Sequence, residues 1–382
     1  MRILIVGDYS PIKDVQVTID ANDYECIWGQ VYPIINAADY SIVNFETTLA
    51  DDKCGKIQKC GPHLKTNENS IKALKYAGFK CVTLANNHFR DYGDRGVYLT
   101  INKLEQEGID YVGGGNTIDE AAKTLYKDIA GKKLAIINAC EHEFSIAEGE
   151  HGSSNPLDLI NQYNAINQAK RKADYVIVII HGGHELYNLP SIRMKNVYRF
   201  FIDAGADVVV NHHQHCFSGY EVYKEKPIFY GLGNFCFPNM IKVDAPTSWN
   251  YGYMVSLEFG DDNIKFETIP YRQCFHGVNI ELLQEIEDFE KQIVEINSII
   301  RDDNVLMQRM ESFFLQETRK NRFMWEPYRG KLLKGLFYYH LLPSLVTRRG
   351  EKLTMLYNML NCESHRDKMM FLLKGFMKDE KK

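Results

Sequence analysis

Short apolar segments recur through the first 215 residues of this chain, and helical patterns separate them. The strongest is Tyr175–Ile180 (YVIVII), and residues 2–7, Tyr40–Asn44 and Cys81–Leu84 have the same character. Apolar runs of this length are typical of buried parallel strands. Asn67–Ala77, by contrast, spaces its apolar residues as a helix does. This alternation of strands and helices predicts an α/β domain built in layers.

Antiparallel strands are expected after the alternating region. We predict one hairpin from Tyr220–Tyr223 with Lys226–Tyr230, and a second from Gly252–Phe259 with Asn263–Pro270. Before them, we expect a helix to begin at Asn155-Pro156, because Asn is a favoured cap and Pro suits the first turn. The sheet system should therefore finish with antiparallel strands.

The pattern changes near residue 280. Glu281–Ile300 and Asn304–Lys320 have helical apolar spacing, and strand signals disappear. We therefore predict a domain over residues 1–275 and a helical C-terminal region over residues 276–382.

Charge is distributed unevenly along the chain. Residues 319–382 hold 15 Lys and Arg against 6 Asp and Glu, whereas residues 1–318 hold 30 against 44. The basic end also mixes aromatic and aliphatic residues, most clearly over residues 323–349. It could pack on the domain or on a second subunit, or lie as an amphipathic segment on an anionic membrane surface. A nucleic-acid partner is not expected, because the body is acidic.

The N-terminal residues and the cysteines indicate a cytoplasmic protein. The opening sequence MRILIVGD reads as one short strand and not as a signal peptide. The nine cysteines are odd in number and form no C-x-x-C pair, which favours reduced thiols. No apolar run approaches the length of a spanning helix. Any membrane contact should therefore be peripheral, at the inner face.

Polar clusters stand at the ends of five predicted strands. They are Gly7-Asp8, Asn44-Phe45-Glu46, Asn86-Asn87-His88, His181, and Asn211-His212-His213-Gln214-His215. Each alone has an ordinary explanation as a cap, a turn or a buried histidine. Together they fall where α/β sheets place their ligand sites, at the carboxyl ends of strands. Because such groups are costly to bury unpaired, the set predicts a divalent metal centre.

Several motifs make the chain resemble a known family. They are Asn44-Phe45-Glu46-Thr47, Leu84-Ala85-Asn86-Asn87-His88 with Asp91-Tyr92-Gly93, His181-Gly182-Gly183-His184-Glu185, His212-His213-Gln214-His215, and Tyr230-Gly231-Leu232-Gly233-Asn234-Phe235. In order and spacing they resemble the CapA family of bacterial capsule and poly-gamma-glutamate synthesis proteins, of the calcineurin-like metallophosphoesterase superfamily. The resemblance covers about residues 1–270. It implies a layered α/β/β/α sandwich, here followed by a C-terminal helical appendage.

The resemblance also implies a site for one or two divalent ions, Mn, Fe or Zn. The implied ligands are Asp8, Glu46, Asn87, His181, His213 and His215. His88 would face the leaving oxygen without binding metal, and we expect Asp91 to orient its imidazole. A helix or turn cap is the other reading of Asp91.

This sequence departs from the superfamily pattern at two positions. The histidine of the D-x-H motif would fall at Ser10, and the glycine of G-H-x-H is His212. One metal position is then left with Asp8, Glu46 and His215, which is still workable because three protein ligands plus water form known sites.

Three further residues are candidates for substrate binding. His184 and Glu185 follow His181, and they could bind substrate, supply the missing ligand, or form only surface hydrogen bonds. Asn234 is expected near the site on a hairpin end, or in a turn.

Two functions of different classes fit the sequence. The first is a metal-dependent, phosphoesterase-like hydrolase of capsule biosynthesis, acting on an anionic polymer, a glycan or a phosphoester. The second is a non-catalytic accessory protein that binds polymer or other members of the synthesis machinery. The absent ligand at Ser10 favours the second.

Overall fold

The structure of the chain is a computed structural model. It describes residues 1–59, 61–147, 149–260, 263–275, 277–321, 330–339, 341–343 and 360, with the backbone alone at 317–321. Most of the basic segment 319–382, for which packing or membrane contact was predicted, lies outside the described residues. The chain divides into two compact units, Met1–Met307 and Gln308–Lys382.

Two large sheets form the centre of the first unit. The first sheet has the strand order β16-β15-β14-β1-β2-β3-β4, and β13 pairs with β1 on the same sheet. Its strands are β1 (Arg2–Tyr9), β2 (Tyr40–Phe45), β3 (Cys81–Thr83), β4 (Asp110–Val112), β13 (Asn234–Cys236), β14 (Tyr251–Phe259), β15 (Ile264–Gln273) and β16 (Ile280–Leu282). β1 to β4 are parallel, while β14 to β16 are antiparallel.

The second sheet has the order β11-β12-β10-β9-β7-β6. Its strands are β6 (Leu125–Ile129), β7 (Lys132–Cys140), β9 (Tyr175–His181), β10 (Val208–His212), β11 (Tyr220–Tyr223) and β12 (Lys226–Phe229). β7, β9, β10 and β12 run parallel. A separate short pair joins β5 (Gly114–Gly115) to β8 (Ser153–Ser154).

The helices follow the chain order of the strands. They are α1 (Lys13–Asp20), α2 (Tyr24–Trp28), α3 (Tyr32–Ala37), α4 (Asn69–Ala77), α5 (Gly93–Glu107), α6 (Ile118–Ala121), α7 (Leu159–Lys170), α8 (Ile192–Ala204), α9 (Glu287–Arg301), α10 (Asp303–Asn321) and α11 (Lys331–Tyr338). In the part of the chain that the structure describes, no helix is long and apolar enough to cross a bilayer.

The apolar side chains arrange these elements in four layers. Successive residues of β1 point to opposite faces, so Ile3 joins the core between the sheets while Leu4 joins the core under α1 to α5. Phe229 of the second sheet meets Phe266 of the first, with ring centroids 5.1 Å apart. α7 and α8 cover the outer face of the second sheet. The α/β/β/α sandwich that the sequence predicted is therefore confirmed.

This layering brings the carboxyl ends of the parallel strands together. On the first sheet Asp8 lies opposite both Asn44 and Asn234. On the second sheet His181 lies between Cys140 and His212. The polar residues that end these strands therefore share one edge of the sandwich.

The sequence placed the start of α7 too early. We expected Asn155-Pro156 to open this helix, but α7 begins at Leu159 and its cap is Asp158, which accepts a hydrogen bond from the Asn161 N–H at 2.8 Å. Asn155 instead donates through its amide to the Asn138 carbonyl, at 2.8 Å. Its side chain ties the incoming loop to β7, so it cannot cap the helix.

The start of α9 is a second correction. The helical pattern was expected from Glu281, but Ile280–Leu282 forms β16 on the edge of the first sheet, and α9 begins only at Glu287. Ile280 is buried there, which local helical spacing could not reveal. The predicted boundary near residues 275–280 falls inside the first unit, because α9 packs Phe289 and Ile293 into its core.

Candidate metal centre

The tight approach of β13 to β1 positions Asp8. The Asp8 N–H donates to the Gly233 carbonyl at 3.1 Å, and a Cβ on Gly7 would collide with that same oxygen. Glycine at this position lets the strands meet and leaves Asp8 1 % exposed at the end of β1. One Asp8 oxygen, Oδ1, accepts a hydrogen bond from the Asn44 amide at 2.7 Å.

The loop after β10 carries two histidines in an uncommon backbone conformation. His213 has φ +90° and His215 has φ +56°. Left-handed backbone at a residue other than glycine costs on the order of 1–3 kcal/mol and is concentrated at functional sites. The turn directs both imidazoles to the shared edge of the sandwich.

Two groups of three side chains hold their potential ligand atoms within 4.8 Å of one another. One group is Asp8, Glu46 and His215, and the other is Glu46, His181 and His213. Glu46 belongs to both groups. The sixth residue of the predicted set, Asn87, joins the second group, because its Oδ1 lies 3.0 Å from His181 Nε2. All six predicted ligands therefore converge.

Glu46 lies in an environment that suits a cation. It is fully buried, and among the described residues neither of its carboxylate oxygens has a hydrogen-bond donor in position. Its Oε1 lies 3.5 Å from His181 Nε2 and 3.6 Å from His215 Nε2. Burial, followed by the Asp8 carboxylate, raises the pKa of Glu46 well above its usual value. A divalent ion would offset the cost of this buried, unpaired charge, so the residues fit a metal.

His181 and His213 present nitrogens to each other. His181 Nε2 and His213 Nδ1 lie 3.0 Å apart. Burial lowers the pKa of His213 to about 3 and places the pKa of His181 well below its usual value, so both rings are neutral at pH 7. Neutral imidazole is the form that binds metal. His181 Nε2 also lies 3.5 Å from Glu46 Oε1, so these three side chains are close enough together to hold one ion.

Asn234 holds His215. Its Oδ1 lies 2.9 Å from His215 Nδ1, and its amide nitrogen donates to the carbonyls of His215 and Trp249, each at 3.2 Å. With Asn234 Oδ1 as the acceptor, Nδ1 of His215 is an N–H donor, and Nε2 lies 3.6 Å from Glu46 Oε1. These contacts are those of a positioning residue. A contact between Asn234 and substrate stays a prediction.

The two departures from the superfamily pattern are visible in the structure. Ser10 and His212 are buried, and within the described residues neither side chain has a hydrogen-bond partner. His212 Nδ1 lies 3.4 Å from Asp8 Oδ1, yet His212 belongs to neither group of potential ligands.

His88 lies beside the centre in contact with Asp91. His88 Nδ1 lies 2.6 Å from Asp91 Oδ2, which also accepts a hydrogen bond from the Leu64 N–H at 2.7 Å. Asp91 is therefore placed where it could orient the His88 imidazole, and that role stays a prediction. Burial lowers the pKa of His88, although the Asp91 hydrogen bond acts in the opposite direction.

Lys59 completes this cluster, and sequence reasoning missed it. Its ammonium pairs with Asp91 Oδ1 and lies 3.1 Å from His88 Nδ1, with the side chain 2 % exposed. Lys59 comes from the irregular segment between β2 and α4. A single lysine in an irregular segment has no regular pattern of apolar neighbours that would indicate burial, so the sequence could not identify it.

The rim of the site contains the remaining candidates and one more missed residue. His184 is half-buried and Glu185 is exposed, and the charge of Glu185 contributes to the raised pKa of Glu46. Glu143, on the loop after β7, was not predicted. Its Oε1 lies 3.7 Å from His213 Nε2, and burial raises its pKa. The signal was available, since β7 is another parallel strand whose end carries acidic residues.

Comparison with known proteins gives a consistent result. Residues 2–239 match the family described as "Bacterial capsule synthesis protein PGA_cap". The chain is 34% identical over 246 residues to "Capsule biosynthesis protein CapA" of Bacillus anthracis, covering 62% of this chain and 60% of that protein. It is 34% identical over 236 residues to "PGA biosynthesis protein CapA" of Bacillus subtilis (strain 168), covering 61% and 62%.

A third relative has a different kind of name. It is a "Probable polyglutamine synthesis accessory protein" of Mycobacterium tuberculosis (strain ATCC 25618 / H37Rv), 26% identical over 229 residues, covering 56% of this chain and 60% of that protein. The chain thus spans about three fifths of the length of the curated relatives it matches.

Proposed function

Because the chain belongs to the PGA_cap family of bacterial capsule synthesis proteins, we propose that it is a metal-dependent, phosphoesterase-like hydrolase acting in capsule biosynthesis, on a polysaccharide or on poly-gamma-glutamate. The family membership confirms the resemblance to CapA proteins that the motifs predicted. The hydrolytic activity, the substrate and the partners are our proposal.

One observation supports the proposal above the others. Glu46, buried and without donors among the described residues, is shared by two groups of potential ligands. Asp8, Glu46 and His215 would hold one divalent ion, and Glu46, Asn87, His181 and His213 a second, with Mn, Fe or Zn as candidates. Such ions supply acidified water and a Lewis acid for a phosphoryl oxygen.

His88 is the residue that we assign to proton transfer. Asp91 accepts the hydrogen bond from His88 Nδ1, which directs Nε2 away from Asp91. In the imidazolium form of His88, which carries a proton on each nitrogen, the Nε2 proton passes to the leaving oxygen as its bond to phosphorus breaks, so the leaving group departs as an alcohol and His88 is left neutral with its proton on Nδ1. His184 and Glu185, at the rim, are the proposed contacts with the rest of the substrate.

The accessory role is the second candidate, and a specific observation favours it. Ser10 stands where the superfamily has a ligand histidine, so one position has three protein ligands at most in the predicted set. The mycobacterial relative is also named as an accessory protein. Under this reading the chain binds polymer or the synthesis machinery, and metal serves the fold alone.

Metal content and hydrolysis together test the proposal. We expect the purified chain to contain Mn, Fe or Zn by elemental analysis, and to hydrolyse p-nitrophenyl phosphate or its bis ester. The matched variant is Glu46→Gln, which keeps the side-chain volume and removes the shared charge. A metal-loaded wild-type chain that hydrolyses neither ester would favour the accessory role, and a chain without metal would exclude the hydrolase.

The proposal also includes the location of the chain and the role of its C-terminal region. We place the chain in the cytoplasm. For the basic region 319–382 we keep two roles, packing and contact with an anionic membrane face. The described helix α11 exposes Leu332 beside Lys331 and Lys334, which is the pattern of a membrane-surface helix.

A further inference from the structure

Glu143 contacts two potential ligands of the same metal position. Its Oε1 lies 3.7 Å from His213 Nε2. Burial raises the pKa of its carboxyl group, and Asn87 lies near enough for that side chain to lower the pKa. Asn87 in turn lies 3.0 Å from His181, so all these groups surround one side of the centre. On the other side, Asp8 is held by Asn44. Glu143 is therefore placed to act on one metal position selectively.

The loop that carries Glu143 is anchored on both sides of it. The Glu141 N–H donates to the His181 carbonyl at 3.0 Å, and the Glu141 carboxylate pairs with Arg193. Ser145 Oγ accepts a hydrogen bond from the Arg90 N–H at 3.1 Å. With residues 141 and 145 tied down, the position of Glu143 between them is set by the fold before any ion binds.

The contact with Glu143 matters because of which ring nitrogen of His213 carries the proton. His213 Nδ1 faces His181 Nε2 at 3.0 Å, so Nδ1 is the nitrogen directed at the centre. A neutral imidazole that binds metal through Nδ1 carries its proton on Nε2. Glu143 Oε1 lies on that side of the ring. Because 3.7 Å is beyond hydrogen-bond distance, the carboxylate favours the N–H on this side of the ring through its charge, and so favours the ring orientation that partners of metal-bound histidines commonly stabilise.

We propose that Glu143 is a positioning residue that orients His213 and Asn87 for the ion held by Glu46, Asn87, His181 and His213. This inference rests on the metal centre of the proposed function. Glu143 does not itself bind the ion. Its effect is on the affinity of this one position.

Calorimetric titration of the full-length, chelator-treated chain with Mn²⁺ tests the inference without any substrate. We expect Glu143→Ala to weaken one class of Mn²⁺ site about 10–100-fold, the range typical of such partners, and to leave the other class unchanged. Glu143→Gln should weaken the same site less, because its amide oxygen can still accept hydrogen bonds. Glu150→Gln is the matched control, since it removes an exposed carboxylate from the same connection between β7 and β8 without touching the anchors of Glu143.

The outcomes distinguish failure of the proposed metal centre from failure of the proposed role of Glu143. Wild-type chain that binds no Mn²⁺ overturns the centre and, with it, the role of Glu143. If the wild-type chain binds Mn²⁺ but Glu143→Ala leaves the affinity unchanged, or weakens it no more than Glu150→Gln does, the role of Glu143 alone is overturned. If thermal melting of the chelator-treated proteins shows that Glu143→Ala disturbs the fold, Glu143→Gln carries the comparison.

Discussion

His88 Nδ1 lies 2.6 Å from Asp91 Oδ2, and both residues come from the turn that follows β3. Asn86 braces the same turn, because its Oδ1 accepts the His88 N–H at 3.1 Å and its amide donates to the Phe45 carbonyl at 2.9 Å. The imidazole is thus contacted by Asp91 of its own turn and by Lys59, and not by the metal ligands. Its contribution to catalysis should therefore be separable from metal binding.

Replacing His88 by Asn should reduce activity without removing metal. Loss of a general acid lowers kcat about 10²–10⁴-fold, whereas the ligand groups contain no His88 atom. Steady-state hydrolysis of an aryl phosphate and elemental analysis of the same sample check this. Unchanged kcat would exclude His88 from the mechanism, and loss of metal would show that it acts as a ligand.

Replacing Lys59 by Met should destabilise the protein. Removing one partner of a buried ion pair leaves Asp91 uncompensated, at a cost of about 3 kcal/mol in the free energy of unfolding. Urea unfolding of the chelator-treated chain measures it. In an Asp91→Asn background the same replacement should cost less, because the charge it balances is gone. Equal costs in the two backgrounds would refute the coupling.

Glu46→Gln should have opposite effects on the metal-free and metal-loaded protein. Because burial and Asp8 raise the pKa of Glu46, its charge is unfavourable without a cation, so the free energy of unfolding of the metal-free variant should equal or exceed the wild-type value. Its Mn²⁺ affinity should fall more than about 100-fold, beyond the effect of a partner residue. Unfolding with and without chelator, together with calorimetry, checks both. A metal-free variant less stable than wild type would contradict this account.

His213 should make the metal-free protein less stable in acid. Its pKa is about 3 in the fold because of burial, against about 6.5 in the unfolded chain, so between these values the unfolded chain binds a proton that the folded chain does not. Stability should therefore fall as pH drops below about 6.5, by up to about 1.4 kcal/mol per pH unit from this group.

Urea unfolding at several pH values from 4 to 7, in chelator, checks the sign. His213→Gln should flatten the pH dependence in this window, while His142→Gln, at an exposed position, should retain the wild-type slope. A steeper slope in His213→Gln would mean that the sign is wrong.

Flotation of the chain with liposomes tests the two roles kept for residues 319–382. If the region binds membrane, wild type should float with vesicles that contain anionic lipid, and a chain shortened to residue 318 should not. Vesicles of neutral lipid are the control. Failure of both chains to float with anionic vesicles would leave packing as the role of this region.

Much of the fold could be predicted from local sequence because its strands are buried on both faces. Tyr175–Ile180 is apolar throughout, and the structure extends this strand by one residue, to His181. The short helices α1 to α3 and the strand β16 gave no clear pattern. Ile280 is a strand residue because β15 offers it an edge, and that edge exists only after the sheet has formed.

By itself, the sequence determined which chemical groups end the strands and, through its motifs, the family and the five residues that converge around Glu46. Only the tertiary structure decided which residues contact these groups. Asn234 contacts His215, Lys59 pairs with Asp91, and Glu143 lies beside His213. The end of a strand is a local property, because it depends on apolar and polar residues that are adjacent in the sequence. A partner is chosen by the packing of segments far apart in the chain, where distance and burial decide how much the contact between two residues is worth.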